Sequence, residues 1–257
     1  MKHFDMFNRG LRQLQNLLPA SATQFAMRLM GEKGIRFVRE FTGRSARHRI
    51  QISCARELVG VGAGAWTICP DYLNKESIVY SLGIGTDISF DLALIDRYKV
   101  NVFAFDPTPR SLVWLKNQTV PELFHLVEWG VHNVDGFARF IQLVEDQYAI
   151  SMSTNSDSAE SFQVHRLKTI MEKFGHRQID LLKINIEGGE YSVLEDLLGS
   201  QVNVAQIVVE FHHRLPGHKL SQTEETVNEL NRHGYKIFNI TNGKEYSFIK
   251  PELKRVN

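Results

Sequence analysis

Residues 77–109 read SIVYSLGIGTDISFDLALIDRYKVNVFAFDPTP, and this stretch decides the fold. An apolar strand runs into Gly83-Ile-Gly85-Thr-Asp87, and an amphipathic helix and a second apolar strand follow. The second strand ends in Asp106, 23 residues after Gly83. This is the layout of a nucleotide-binding βαβ unit, in which glycines let the backbone approach the ligand and a carboxylate accepts hydrogen bonds from the ribose hydroxyls.

The same alternation of short strands and amphipathic helices continues along the chain and is typical of an α/β fold with a parallel sheet. Residues 136–157 interrupt it and are interpreted as an extra β-ribbon and loop. Asn242-Gly243 predicts a hairpin between the last two strands. We predict strands at about 77–83, 101–106, 123–129, 179–186, 205–211, 235–240 and 245–249, and helices at about 88–98, 109–118, 166–174, 190–198 and 221–233.

The sequence after the second glycine indicates which nucleotide the βαβ unit takes. A dinucleotide fingerprint has a third glycine where this chain has Ile88, and Asp87 would place negative charge near a pyrophosphate. We therefore expect a cationic ligand without phosphates, and S-adenosylmethionine is such a ligand. The alternatives are an NAD(P)-dependent oxidoreductase with the same βαβ layout, or glycines that form only a tight turn. A second run, Gly60-Val-Gly62-Ala-Gly64, has no long helix after it and is interpreted as a structural loop that lines the site.

Four motifs in one order resemble a known family. They are VYSLGIGTDISFDLALID, FAFDPTPRS, IDLLKINIEGGEYSVLEDLL and VVEFHHR, and the resemblance extends over residues 62–249. The chain resembles the FkbM-like methyltransferases, a class I group that depends on S-adenosylmethionine. The resemblance implies a Rossmann-like, mostly parallel sheet with an antiparallel C-terminal hairpin, and O-methylation of a hydroxyl on a sugar, glycolipid or polyketide product. Asn185 stands where that family usually has Asp.

The composition excludes several classes of protein. With 43% hydrophobic and 23% charged residues the chain is globular, and no apolar run reaches the ~20 residues of a membrane-spanning helix. Two cysteines build no disulfide framework, and the N-terminus has no secretory h-region, so we expect a cytoplasmic protein. Residues 1–50 carry 10 basic and 3 acidic side chains, a net charge of +7, whereas the remainder carries 20 and 26, a net charge of −6.

This asymmetry predicts two regions, a basic helical N-terminal extension at residues 1–60 and a methyltransferase domain at residues 61–257. We expect the extension to act as a lid, as a homo-oligomer element, or as a peripheral membrane patch that docks an anionic lipid or glycan carrier. A solvated helical face is the simpler alternative. The arginines also raise the alternative of a nucleic-acid methyltransferase or nucleic-acid-binding module. We expect no nucleic-acid partner, because neither an Asn-Pro-Pro-aromatic motif after the fourth strand nor a recognition motif is present.

The ends of the strands supply the candidate site residues. In LLKINIEG, strand alternation places Lys183, Asn185 and Glu187 on the same face of the strand. In VVEFHHR it likewise places Glu210 and His212 on the same face. If the two strands are neighbours, these side chains converge on the methyl acceptor. We predict that the cofactor is bound by Ser81, Gly83, Gly85, Thr86, Asp87, Asp106, Pro107, Thr108, Trp129 and Glu187.

Each candidate catalytic residue has a predicted role. His212 is the first choice for the general base, because an imidazole accepts a proton near neutral pH. Glu187 would orient His212 or hold the methionyl amino group, and Lys183 would pair with Glu187 or Glu210. Asn185 would position the small-molecule or glycan hydroxyl acceptor. Phe90 and Trp129 are candidates for stacking on adenine. Glu210, His212 and Asn185 offer ligand atoms for a hard metal ion, but no spacing is diagnostic, so we assign no metal site and leave metal assistance open.

Overall fold

The computed structural model describes residues 48–144, 147–153 and 161–253. Most of the predicted N-terminal extension, including Arg36, Arg39 and Arg44, therefore lies outside the described residues. Residues 48–60, the described end of the predicted extension, contact the predicted methyltransferase domain. The amide of Gln51 donates a 2.7 Å hydrogen bond to the carbonyl of Ile237. The boundary between residues 60 and 61 stays a prediction.

A seven-stranded sheet forms the centre of the described chain. Its spatial order is β12 (Lys236–Thr241), β13 (Glu245–Ile249), β11 (Val204–Glu210), β10 (Ile179–Ile184), β3 (Ile78–Leu82), β4 (Asn101–Phe105) and β5 (Phe124–Val127). The five strands from β11 to β5 are parallel, whereas β13 is antiparallel to both of its neighbours. The predicted α/β, mostly parallel sheet with an antiparallel C-terminal hairpin is confirmed.

The central strands are buried because they are apolar on both faces, as parallel strands covered by helices usually are. All six residues of β10 are buried. Along β3 and β10, Val79 and Leu181 join one core cluster, whereas Tyr80 and Leu182 join another. The helices that supply these cores are α1 (Ser89–Tyr98), α2 (Pro109–Leu115), α3 (Leu167–Phe174), α4 (Glu190–Gly199) and α5 (Leu220–Arg232).

Two smaller sheets were only partly predicted. A four-stranded sheet between β5 and α3 contains β6 (Gly130–Val131), β7 (Gly136–Val144), β8 (Gln147–Ser153) and β9 (Ser161–His165), in the order β6-β9-β7-β8. Its β7–β8 hairpin is the predicted ribbon. The second glycine run lies between β1 (Glu57–Val59) and β2 (Trp66–Ile68), an antiparallel pair that the sequence did not predict.

Three predicted elements extend two or three residues too far at their carboxyl ends. The third predicted strand ends at Val127 rather than at residue 129. The fourth predicted strand ends at Ile184 rather than at residue 186, because the chain turns after Asn185 and Glu187 adopts a positive φ of 48°. The second predicted helix ends at Leu115 rather than at residue 118. Among the described residues, no helix has the length and apolar character needed to cross a bilayer.

Candidate active site

A cavity of about 820 Å³ opens at the carboxyl ends of β3, β4 and β10, where the strand order reverses. This is the position at which open α/β sheets bind ligands, and the volume lies in the range of small-molecule sites. The cavity is lined by Ala63, Gly64, Trp66, Leu82, Gly83, Ile84, Gly85, Thr86, Asp87, Phe90, Asp91, Phe105, Asp106, Pro107, Thr108, Pro109, Arg110, Ser111, Gly130, Val131, Lys183, Asn185, Ile186 and Glu187.

The glycine turn after β3 is shaped by two close approaches of the backbone. Gly83 has a φ of 74°, and a Cβ atom at this position would lie 2.0 Å from the carbonyl oxygen of Asn185. Its amide donates a 2.9 Å hydrogen bond to the carbonyl of Phe105. Gly85 also has a positive φ, of 55°, but a Cβ there would have no neighbour within 4 Å. Of these two positions, Gly83 requires glycine both for packing and for its backbone conformation, whereas Gly85 requires it for its backbone conformation alone.

Asp106 holds this turn in place. Its Oδ2 atom accepts hydrogen bonds from the amides of Ile84 (3.1 Å) and Gly85 (2.9 Å). Its Oδ1 atom accepts hydrogen bonds from the amide (2.9 Å) and the hydroxyl of Thr108. The carboxylate therefore already accepts four hydrogen bonds within the protein, and a ribose hydroxyl would have to share or replace one of them. That Asp106 binds the ribose hydroxyls stays a prediction. The structure shows that it holds the glycine turn.

The glycine run between β1 and β2 covers the same cavity. Ala63, Gly64 and Trp66 line it, which agrees with the interpretation of this run as a structural loop beside the site. A Cβ atom at Gly64 would lie 2.3 Å from Oδ2 of Asp87. The other carboxylate oxygen of Asp87 accepts a 2.8 Å hydrogen bond from the amide of Ser89, at the start of α1. Asp87 thus connects the loop to the helix.

Lys183 does not form the ion pair predicted for it. Its buried ammonium donates hydrogen bonds to the carbonyl of Gly83 and, at 3.4 Å, to the carbonyl of Leu82. Neither Glu187 nor Glu210 forms a salt bridge with it; Glu210 pairs with Lys244 instead. The correction follows from β10 and β3 being neighbours, which brings Lys183 beside Ser81 and next to the turn. Burial lowers the pKa of Lys183, against the opposing effect of nearby carboxylates.

His212 follows β11 and is held by Glu190, the first residue of α4. One carboxylate oxygen of the fully buried Glu190 lies 2.6 Å from the His212 amide nitrogen and 3.2 Å from Nδ1 of its ring. The second oxygen accepts a 2.8 Å hydrogen bond from the amide of Gly188. Nε2 of His212 lies 3.8 Å from Glu210. Burial lowers the pKa of His212, but the contact with Glu190 and the surrounding carboxylates outweigh it, so the pKa is raised.

The structure brings most of the predicted residues to the cavity, with four exceptions. Ser81 is fully buried in β3 and does not line it. Trp129 does not line it either, because its ring packs edge-on against His165, with ring centroids 4.7 Å apart. His212 and Glu210 lie at the ends of the neighbouring strand, outside the lining. Phe90, the other candidate for stacking, does line the cavity.

Two residues at the site were missed from the sequence. Glu190, rather than Glu187, orients His212, and Asp91 is a buried carboxylate in the cavity wall. Asp91 had a detectable signal, since it shares the buried face of α1 with Leu94 and Ile95. An acidic residue on an apolar helix face is unusual unless it has a partner or a ligand.

A family comparison identifies the domain that contains this cavity. Residues 74–237 match the model of the methyltransferase FkbM domain. The chain belongs to the FkbM methyltransferase family. This family uses S-adenosylmethionine as its cofactor, and the alternative of an NAD(P)-dependent oxidoreductase is therefore dropped.

Individual proteins that resemble this chain share a quarter or less of its residues. The proteins of rat and human named "Probable methyltransferase-like protein 24" are each 25% identical to this chain, over 208 and 209 residues. These matches include 73% of this chain and 52% of each relative, so the chain spans about half the length of the curated relatives it matches. A fibrillarin pre-rRNA processing protein of Methanococcus jannaschii superposes with a TM-score of 0.41 at 11% identity, over 80% of this chain and 87% of that one.

The cavity fits S-adenosylmethionine by size and by chemistry. Its wall combines apolar side chains such as Phe90 and Val131 with the buried charged groups of Asp91, Asp106 and Lys183. A nucleoside joined to a charged amino acid needs this combination of apolar and charged surfaces. Among the residues that the structure describes, no cluster of three or more His, Cys, Asp or Glu side chains is arranged to hold a metal ion.

Proposed function

We propose that this FkbM-family protein transfers a methyl group to a hydroxyl of a sugar, glycan, glycolipid or related metabolite. The arrangement of Glu190, His212 and Glu210 carries the proposal, together with the electrostatic effect on His212 of Glu187, which lines the cavity. A hydroxyl is a poor nucleophile until its proton begins to leave, and a positioned histidine is the side chain that most often accepts such a proton. An unprotonated amine or a thiolate can attack the methyl group directly. Nitrogen and sulfur acceptors in these forms therefore need no general base.

His212 is the proposed general base. S-adenosylmethionine, when bound, supplies an electrophilic methyl group on a sulfonium. Nε2 of His212 would take up the proton that the acceptor hydroxyl loses when its oxygen receives the methyl group, with S-adenosylhomocysteine as the leaving group. Nδ1 faces Glu190, which fixes the ring and stabilises the imidazolium that forms. Asn185 and Glu187, which line the cavity, are proposed to position the acceptor within reach of the methyl group.

The surrounding carboxylates strengthen this base. A raised pKa makes the imidazole a better proton acceptor but leaves less of it unprotonated at neutral pH. We therefore expect methyl transfer to increase with pH and to level off above the raised pKa of His212, which lies above the usual value of 6.5.

Transfer of a labelled methyl group from S-adenosylmethionine to glycan, glycolipid and metabolite extracts tests the proposal. We expect a labelled product that resists mild acid and base as an ether does, and His212→Ala should reduce its formation about a hundredfold or more while S-adenosylhomocysteine still binds. The matched control is His233→Ala, because His233 is exposed at the end of α5. Full activity of His212→Ala would exclude His212 as the base, and label only in RNA, DNA or protein would overturn the acceptor class.

A further inference from the structure

Asp91 is a buried carboxylate in the wall of the cofactor cavity that the chemistry proposed above does not use. It lies in the first turn of α1 and is only 1% exposed. One of its carboxylate oxygens, Oδ1, has no hydrogen-bond partner among the described residues. Because an ionised carboxylate away from water is costly unless it is paired, this oxygen calls for a cationic or donor group.

The nearest buried cation in the cavity wall does not fill this role. Lys183 is 5% exposed, and its ammonium donates to the carbonyls of Leu82 and Gly83. No salt bridge joins it to Asp91 within 4.0 Å in the described part of the chain. Burial raises the pKa of Asp91, and the charge of Lys183 and the nearby Ser81 hydroxyl only partly offset this. That hydroxyl, like Oδ1 of Asp91, has no partner within hydrogen-bonding geometry in the described part of the chain. Lys183 therefore favours the ionised form of Asp91 without satisfying its free oxygen.

We propose that Asp91 binds the α-ammonium group of the methionine part of S-adenosylmethionine. The ligand brings a cation with three N–H donors, and Asp91 offers a cavity-lining carboxylate oxygen without a donor. The inference rests on the cofactor, which the family establishes, and is independent of the acceptor class. It replaces the sequence prediction that Glu187 holds the methionyl amino group.

The binding of three ligands to the full-length protein by calorimetry tests this assignment. The first is S-adenosylhomocysteine, the second its decarboxylated analogue, which keeps the amine, and the third its deaminated analogue, which keeps the carboxylate. Asp91→Asn should weaken binding of the first two about ten- to a hundredfold, as expected for a hydrogen bond to a charged group. It should leave the affinity for the deaminated analogue unchanged.

The control variant is Asp96→Asn, which makes the same change on the exposed side of the same helix and should alter none of the three affinities. The ligand-free Asp91→Asn protein should unfold at a temperature equal to or above that of the wild type, because the variant removes an unpaired buried charge. An equal loss of affinity for all three ligands, or a large loss of stability without ligand, would assign Asp91 a structural role and overturn the proposal. Failure of the wild type to bind S-adenosylhomocysteine would instead contradict the cofactor.

Discussion

Asp106 has one predicted task and one visible task, and the sequence alone does not separate them. Its offset from Gly83 predicts a ribose ligand, whereas its four hydrogen bonds hold Ile84, Gly85 and Thr108 in place. Both tasks need a carboxylate at this strand end. These hydrogen bonds within the protein fix the shape of the turn, which lowers the entropy cost of binding a ligand there.

Asp106→Asn should weaken binding of S-adenosylhomocysteine and reduce the free energy of unfolding by about 1–3 kcal/mol, because one amide oxygen cannot accept all four hydrogen bonds. Calorimetry and urea unfolding measure the two effects, with Asp96→Asn as the exposed control. Unchanged affinity in a destabilised variant would remove Asp106 from the ribose site and leave only its role in the turn.

The charge state of His212 gives a second prediction at this scale. Glu190→Gln should lower the pKa of His212, because burial then acts with one fewer opposing carboxylate. In the wild type the pKa of His212 is higher in the folded protein than its usual value of 6.5. Protonated His212 therefore stabilises the folded state fully below about pH 6.5, and this stabilisation is lost as the pH rises through the pKa of the folded protein. Titration of the His212 ring by NMR measures the change; an unaltered pKa would show that Glu190 does not control this histidine.

At the scale of elements, the turn between β3 and α1 depends on two glycines for different reasons. Gly83→Ala should cost at least about 2 kcal/mol more free energy of unfolding than Gly85→Ala, because both strain a positive φ but only the first collides with backbone. Urea unfolding of the two variants measures the difference. Equal losses would mean that the approach of Asn185 to Gly83 is not tight in solution.

The strands and helices themselves were largely predictable, because their apolar periodicity is local. From the sequence, the neighbouring position of the strands that contain Lys183 and Glu210 was only a condition, and the structure shows these two strands paired. The contacts of individual charged residues were not predictable. Alternation stops at Ile184, where the strand ends, so it could not place Glu187, and Lys183 finds carbonyl partners about 100 residues away along the chain.

At the scale of the whole molecule, the charge asymmetry separates a basic segment from the methyltransferase domain. Most of that segment lies outside the described residues, so its role stays a proposal drawn from sequence. We propose that it docks the protein on an anionic membrane surface. Replacing Arg36, Arg39, Arg44 and Arg47 by Gln should weaken binding to phosphatidylserine vesicles by about 1 kcal/mol per charge, without altering affinity for S-adenosylhomocysteine. Equal vesicle binding of variant and wild type would contradict this proposal.

The central claim is that the cavity at the carboxyl ends of β3, β4 and β10 binds S-adenosylmethionine. Calorimetric titration of the full-length protein with S-adenosylhomocysteine, compared with NAD⁺ and NADP⁺, tests it most directly. The account predicts saturable binding of one S-adenosylhomocysteine per chain and no measurable binding of either dinucleotide. Binding of a dinucleotide in preference to S-adenosylhomocysteine, or no binding of S-adenosylhomocysteine, would contradict it.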